Sequence, residues 1–355
     1  LKMSSEKGAF IANFGRLFVT DTTVTGWKEN GNAPDTFVDR ETFRPFLVFW
    51  SGSKTWLASS EFLSLGYNFP KSYGISFSSS AKMLRKNGSV PASTGWVVNC
   101  HFENIYYGFY SYEADDVAII RNTYKDNVVY GIDPHDRSHR LIIAENNSYG
   151  AKKRHGIIVS REVNNSWIFN NHTHDNHGSG IMIDRNSRNN IVADNLSENN
   201  GADGLVFFES PDNISWNNKF LNNKKNGVRI RNSANIVMRG DKIINNGSYG
   251  VEAYTASLED QETRDTKLDP YKKITSYDIA NTLLDNNKSG HFLTDNIESA
   301  RYANLKMIGS YEYFKGDFEP YEAALCAAAT SKDMSVKATA NNRAAPLSTD
   351  VREDE

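Results

Sequence analysis

Residues 130–136 read Tyr-Gly-Ile-Asp-Pro-His-Asp and place two acids, a histidine and a tyrosine within seven positions. Histidine changes charge nearest to neutrality of all side chains, which suits His135 to taking and returning protons. Either neighbouring acid, Asp133 or Asp136, can fix the tautomer of its ring. Pro134 stands between them and removes a backbone donor that a strand normally uses. A local rule is broken where chemistry collects, which is a pattern of functional positions. A histidine on its own is more often structural; one flanked in this way reads as functional.

The frame that must hold this cluster is a repeat. Gly108, Gly131, Gly156, Gly180, Gly204, Gly227 and Gly250 recur at spacings of 23, 25, 24, 24, 23 and 23 residues. A second row of markers stands nine residues before most of them: Asn99, Asn122, Asn171, Asn195 and Asn218, with Asn146 ten before its glycine and Asp241 in the last coil. A third row, Asn176, Asn200, Asn223 and Asn246, precedes the following glycine by four. Asn side chains stack in hydrogen-bonded columns and accept the left-handed turns that a coil requires.

After each glycine comes a period-two strand with apolar residues at +1 and +3, as in Ile157 and Val159, Ile181 and Ile183, or Leu205 and Phe207. Second strands follow at Val117, Leu141 and Asn190. Two or three short strands per 22–25 residues, with Asn and Gly turns, predict an all-β chain, a right-handed parallel β-helix. The helix is expected over residues 1–322, with loop insertions near 28–45, 81–94 and 256–271 and a poorly ordered tail at 323–355.

In such a solenoid, coils stack about 4.8 Å apart and equal offsets from the glycine form columns. The +4 column reads Tyr112, His135, Ser160, Asp184, Phe208, Arg231, Tyr254; the +5 column reads Glu113, Asp136, Arg161, Arg185, Glu209, Asn232. Tyr110, Asp133 and Arg229 stand at +2. Aromatics with both signs of charge are what carbohydrate sites use, rings for sugar faces and Arg for carboxylates. For most of this face a merely solvated surface is an even alternative.

The Asp133-Pro134-His135-Asp136 tetrad (DPHD), preceded by Tyr130-Gly131, resembles the signature of mannuronan C-5-epimerases. Further stretches are similar to the periplasmic, alginate-exporting branch of that family: ENIYYGFY at 103–110, YEADDVAI at 112–119, KRHGIIVSREV at 153–163 and FRPFLV at 43–48. The similarity covers about residues 8–320. It implies a periplasmic enzyme that turns β-D-mannuronate into α-L-guluronate within the polymer. His135 is then the base and Arg161 the cation that neutralises the uronate carboxylate. Arg suits that role by its two-point grip, and a proton α to a carboxylate leaves only if the developing charge is met. Tyr130 or a water returns the proton to the opposite face. Lys152, Lys153, His155, Arg185, Arg229 and Arg231 become subsite candidates with Tyr112, Glu113, Asp184 and Glu209; His155 and His139 are weaker rivals as base.

Two other classes share much of this pattern. A polyuronate lyase begins with the same proton abstraction and then expels the C4 oxygen. A non-catalytic binding module uses the stripe without the histidine. The net charge of −3 means that any polyanion must be met by a local basic stripe. The expected partners are an anionic polysaccharide and other periplasmic assembly and export proteins, with no nucleic acid and no membrane span. Cys100 and Cys326 have no metal-ligand spacing and read as unpaired thiols, and no cofactor or metal is expected. Leu1 to Ala9 lack a secretory pattern, but the opening on Leu rather than Met leaves room for a removed leader.

Overall fold

Short strands of alternating burial cannot close a core alone, so each coil packs on the next. The computed structural model describes residues 1–79, 91–258, 266, 270–309, 314–316 and 334–336. Within these, one coil consists of β15 (Tyr130–His135), β16 (Ile142–Ala144) and β17 (Asn147–Tyr149). Each strand pairs in parallel with its counterpart one coil on: β18 (Ile157–Ser160), β19 (Trp167–Phe169) and β20 (His172–His174). Among the described residues the result is three sheets of 14, 11 and 12 strands. Two antiparallel pairings among these residues depart from the parallel pattern, Trp27 with Pro34 and Leu305 with Val336.

The inward residues form one continuous core from Met3 to Phe314. Ile132, Ile157, Ile181, Leu205, Val228 and Val251 stack as a fully buried column, each worth about 1.5–3 kcal/mol of transfer free energy. The glycine row is explained by close approach. A Cβ on Gly131 would lie 2.0 Å from Ser148 Oγ and 2.5 Å from the Gly156 carbonyl oxygen.

The corners are made by left-handed residues followed by an inward Asn. Glu145, Asn170, Asp194 and Asn217 have φ of 53–56°, and the next residue in each case is a ladder Asn. Along that ladder Asn146 Nδ2 donates to Asn171 Oδ1, Asn171 to Asn195, Asn195 to Asn218 and Asn218 to Asp241, at 2.9–3.1 Å. Asn176, Asn200, Asn223, Asn246 and Asn287 form the second ladder.

Two expectations are corrected here. Asn99 is a left-handed corner residue and exposed, and the ladder position belongs to buried Cys100, whose N–H donates to Asn122 Oδ1. That coil runs one residue shorter to its glycine, which shifts the count. The loop expected at 81–94 ends sooner, because a strand runs over Ser93–Val98; residues 80–90 lie outside the described residues. The 28–45 insertion carries a short hairpin and then Arg44, buried and donating to the Asn104 carbonyl oxygen. Most of 256–271 and of the tail, with Cys326, also lie outside the described residues; Met334–Val336 pairs with Leu305–Met307. Cys100 is unpaired, and burial pushes its thiol up to about 11. Among the described residues no helix is long and apolar enough to cross a membrane.

Candidate active site

β15 lies between β12 (Tyr107–Tyr112) and β18 in the sheet that begins at the glycines. Tyr110 is the register partner of Asp133 and Tyr112 of His135. His135 in turn faces Ser160, then Asp184, Phe208, Arg231 and Tyr254. Between Ile132 and His135 the ladder to β18 has no pairs, as Pro134 requires.

The corner after this sheet repeats the left-handed geometry with different side chains. Glu113, Asp136, Arg161, Arg185, Glu209 and Asn232 all have φ between 34 and 62°. At the other two corners this conformation falls mostly to Asn and Asp, which tolerate it best. Long charged residues kept in a strained conformation point to a site.

His135 Nδ1 lies 2.5 Å from Asp136 Oδ2. A proton on Nδ1, donated to that carboxylate, leaves Nε2 as the basic nitrogen. Burial opposes protonation of His135, but the Asp136 hydrogen bond and the charges of Asp133 and Asp136 outweigh it, and the pKa is raised. Burial would raise Asp136 too, yet His135, Arg161 and Arg137 hold its carboxyl below the ordinary range. Arg161 Nη1 is 3.7 Å from Asp136 Oδ1, so the cation sits beside the dyad on the next coil. Asp133 is 1% exposed, and burial, with the charges of Asp136 and Asp184 and against that of His135, pushes it up to about 7.

An aromatic row runs along the start of the same strands. Tyr73 stacks on Tyr107 at 4.5 Å, Tyr107 meets Tyr130 edge-on at 5.1 Å, and Tyr130 stacks on His155 at 5.9 Å. Burial, then the charge of Asp133, raises Tyr130 far above the ordinary tyrosine value, so its hydroxyl stays protonated. Burial, with the charges of Arg154 and Arg229, lowers His155 to about 3, and its Nδ1 accepts the Ser179 N–H. A histidine so held is a neutral ring and a poor base.

A family model described as "Right handed beta helix region" matches residues 136–259. A mannuronan C5-epimerase of Pseudomonas putida is 47% identical over 308 residues, covering 87% of this chain and 59% of that protein. One from Azotobacter vinelandii is 56% identical over 180 residues, 51% of this chain and 34% of that protein. The crystal structure of the periplasmic alginate epimerase AlgG superposes with a TM-score of 0.85 at 43% identity, covering 87% of this chain and 73% of that one. The chain belongs to the alginate epimerase family.

It spans about three-fifths of the Pseudomonas putida relative's length. The A-module of an Azotobacter vinelandii mannuronan C-5 epimerase, at 14% identity and a TM-score of 0.60, shares the fold.

Within this family frame, His135, Asp133, Asp136 and Arg161 form one cluster, with Tyr130 at the opposite end of the same strand. Glu113 accepts from Arg137 at 2.8 Å, and Arg137 also donates to Tyr112 Oη. Lys152 and Lys153 are exposed on the other rim, with Lys153 Nζ 5.5 Å from the Phe37 ring. The expectation of an outward-facing stripe is corrected further along the helix. Asp184, Glu209 and Arg231 are 7%, 3% and 3% exposed. Asp184 accepts from Ser160, and Arg231 lies over Phe208 and donates to the Ser257 carbonyl oxygen. Arg229 pairs with buried Asp203 at 3.0 Å, and Arg185 stands 3.7 Å from Asp184. His139 forms parallel bridges to Asp115 and Asn164, in the corner rather than on the site face.

The sequence reading missed Arg137, Tyr73 and Lys71. Arg137 directly follows the DPHD tetrad and was open to notice. Tyr73 and Lys71 come from an irregular loop with no register to the repeat, so no sequence signal placed them here.

Proposed function

We propose that this chain epimerises β-D-mannuronate to α-L-guluronate at C5 within a polymannuronate chain, in the periplasm. The observation that carries the reading is the His135–Asp136 dyad with Arg161 beside it on the next coil, in a family whose named members are mannuronan C5-epimerases. His135 Nε2 takes the C5 proton, and the electron pair moves into the carboxylate. Arg161 meets the charge that develops there, which is worth most in a site sheltered from water. A proton from the Tyr130 hydroxyl or from a water adds to C5 on the opposite face; the tyrosinate or hydroxide left behind regains a proton from solvent, and His135 releases the one it took. Oxidation state and chain length are unchanged.

Asp133, whose charge favours the protonated form of His135, supports the imidazolium that forms beside it. The exposed cations Lys152 and Lys153 and the tyrosine row supply charge and stacking for neighbouring sugars. Other alginate assembly and export proteins are the natural further partners of an enzyme that works on polymer in transit.

The test is product analysis on polymannuronate in D₂O. Epimerisation places solvent deuterium at C5 of each new guluronate and leaves the polymer length unchanged. Ultraviolet absorbance from unsaturated ends, rising with conversion, would replace this reading with a lyase. Polymer binding with no conversion would leave a binding module.

A further inference from the structure

Lys71 follows β8 (Glu61–Leu63) by a loop and precedes β9 (Gly74–Ser78), two coils before the DPHD strand. It reaches forward across the sheet. Its Nζ stands 3.0 Å from the centroid of the Tyr112 ring and 5.2 Å from that of Tyr110, and donates to Tyr110 Oη at 3.3 Å. Tyr112 is the register partner of His135, and the Tyr110 ring lies 6.0 Å from the His135 ring. The ammonium is therefore held one coil before His135, as the Arg161 guanidinium is held one coil after it.

We propose that Lys71 is a specificity-determining residue that takes the carboxylate of the uronate next to the reacting sugar, on the side away from Arg161. The inference rests on the polymannuronate reading above. Coils are stacked about 4.8 Å apart, close to the repeat of an extended uronate chain. The two cations flank the base from opposite sides, so with Arg161 on the carboxylate of the reacting sugar, Lys71 faces the stretch of polymer on the other side of His135. Lys71 makes no ion pair with any described residue. Its neighbours Glu113 and Asp136 are engaged by Arg137 and by His135 with Arg161. Its own contacts are two aromatic rings and a hydroxyl, which orient an ammonium without neutralising it.

That environment has a measurable consequence. Burial lowers Lys71 to about 7, against the charges of Asp136 and Glu113 and together with that of Arg137; the remaining groups facing it are Tyr110 and Tyr112. A bound carboxylate favours the charged form, so polymer binding near neutral pH takes up a proton at this site. Above about pH 8 the free protein presents a neutral amine, and the polymer must bind less tightly.

The experiment compares wild type, Lys71→Met and Lys71→Arg with a fluorescently labelled oligomannuronate by anisotropy, and with polymannuronate by proton NMR for turnover. Lys71→Met should raise Kd and KM about tenfold while kcat stays within about threefold. Lys71→Arg should bind as wild type at pH 6.5. It should then keep its affinity to pH 9, where wild type weakens, because a guanidinium does not deprotonate in this range. A purely structural lysine would not yield that divergence. Unchanged binding in Lys71→Met, or the same pH dependence in wild type and Lys71→Arg, would overturn the proposal. If Lys71→Met does not fold, the wild type and Lys71→Arg profiles decide alone. Binding that follows the expected pattern without any guluronate would uphold Lys71 as the carboxylate contact and remove the epimerase reading instead.

Discussion

His135 Nδ1 and Asp136 Oδ2 stand 2.5 Å apart, although the two residues are adjacent in sequence and a strand would send them to opposite faces. The contact exists because Asp136 has left the strand. Its φ of 34° turns the chain at the corner and swings the carboxylate back beside the ring. The histidine ends the strand, the acid opens the turn, and the tautomer follows from both.

Replacing Asp136 with Asn should test that arrangement. An amide can donate to Nδ1 and so place the proton on Nε2, the wrong nitrogen for a base. The kcat plateau should fall about 10²–10⁴-fold, the range for loss of acid–base function. Asp136 raises the pKa of His135, so its loss lowers that pKa. The acid limb of kcat/KM, which requires neutral imidazole, should move to lower pH. A pH–rate profile reads both effects.

Arg161→Lys keeps the charge and loses the planar two-point grip. If Arg161 meets charge that develops only as C5 loses its proton, kcat should fall at least about 10²-fold. Polymer affinity should change by only a few-fold. Steady-state kinetics beside the anisotropy titration separates the two quantities, and a matching loss in both would make Arg161 a ground-state contact.

Asn195 is the centre of the first ladder. Its Oδ1 accepts from the Asn171 N–H and Nδ2, and its Nδ2 donates to the Ile168 carbonyl oxygen and to Asn218 Oδ1. Asn195→Ala leaves the buried Asn171 N–H and Ile168 carbonyl oxygen without these partners and should cost about 2–4 kcal/mol. Chemical denaturation followed by circular dichroism should show the lower midpoint.

Asp241 ends the same ladder, accepting from the Asn218 N–H and Nδ2 and from Ser215 Oγ. Burial raises it to about 7, against those three hydrogen bonds. A carboxyl raised in the folded state keeps its full stability below the unfolded value of about 4 and loses it as pH rises towards 7. Asp241→Asn should therefore match wild type below pH 4 and melt higher above pH 7. Melting temperatures at pH 3.5, 5.5 and 8 provide the comparison; a constant difference across that range would show that Asp241 does not titrate.

The repeat was legible because its causes are local. A glycine is needed wherever a Cβ would strike the neighbouring coil, as at Gly131, and an inward Asn wherever a corner leaves backbone groups to satisfy. Those needs recur every coil, and the spacing shows them. The count failed at Asn99, where a coil one residue shorter gives the ladder position to Cys100. The DPHD cluster was legible as a departure from the repeat. Its depth was not, because burial at one coil is set by side chains on the coils either side. Arg231 and Glu209 share columns with His135 and Arg161, yet both lie beneath the surface.

By itself the sequence determined the stacked coil of two or three short strands, and it singled out one face and one short run of residues as the candidates for chemistry. All of these follow from period-two burial and fixed offsets within one coil. Only the tertiary structure decided that Asp136 turns back onto His135, that His155 is a half-buried ring whose Nδ1 accepts the Ser179 N–H and that Lys71 arrives from two coils away. Those facts depend on corner dihedrals and on where an irregular loop lands. A loop outside the repeat has no register, so its position is set by the surfaces it packs on rather than by its own spacing.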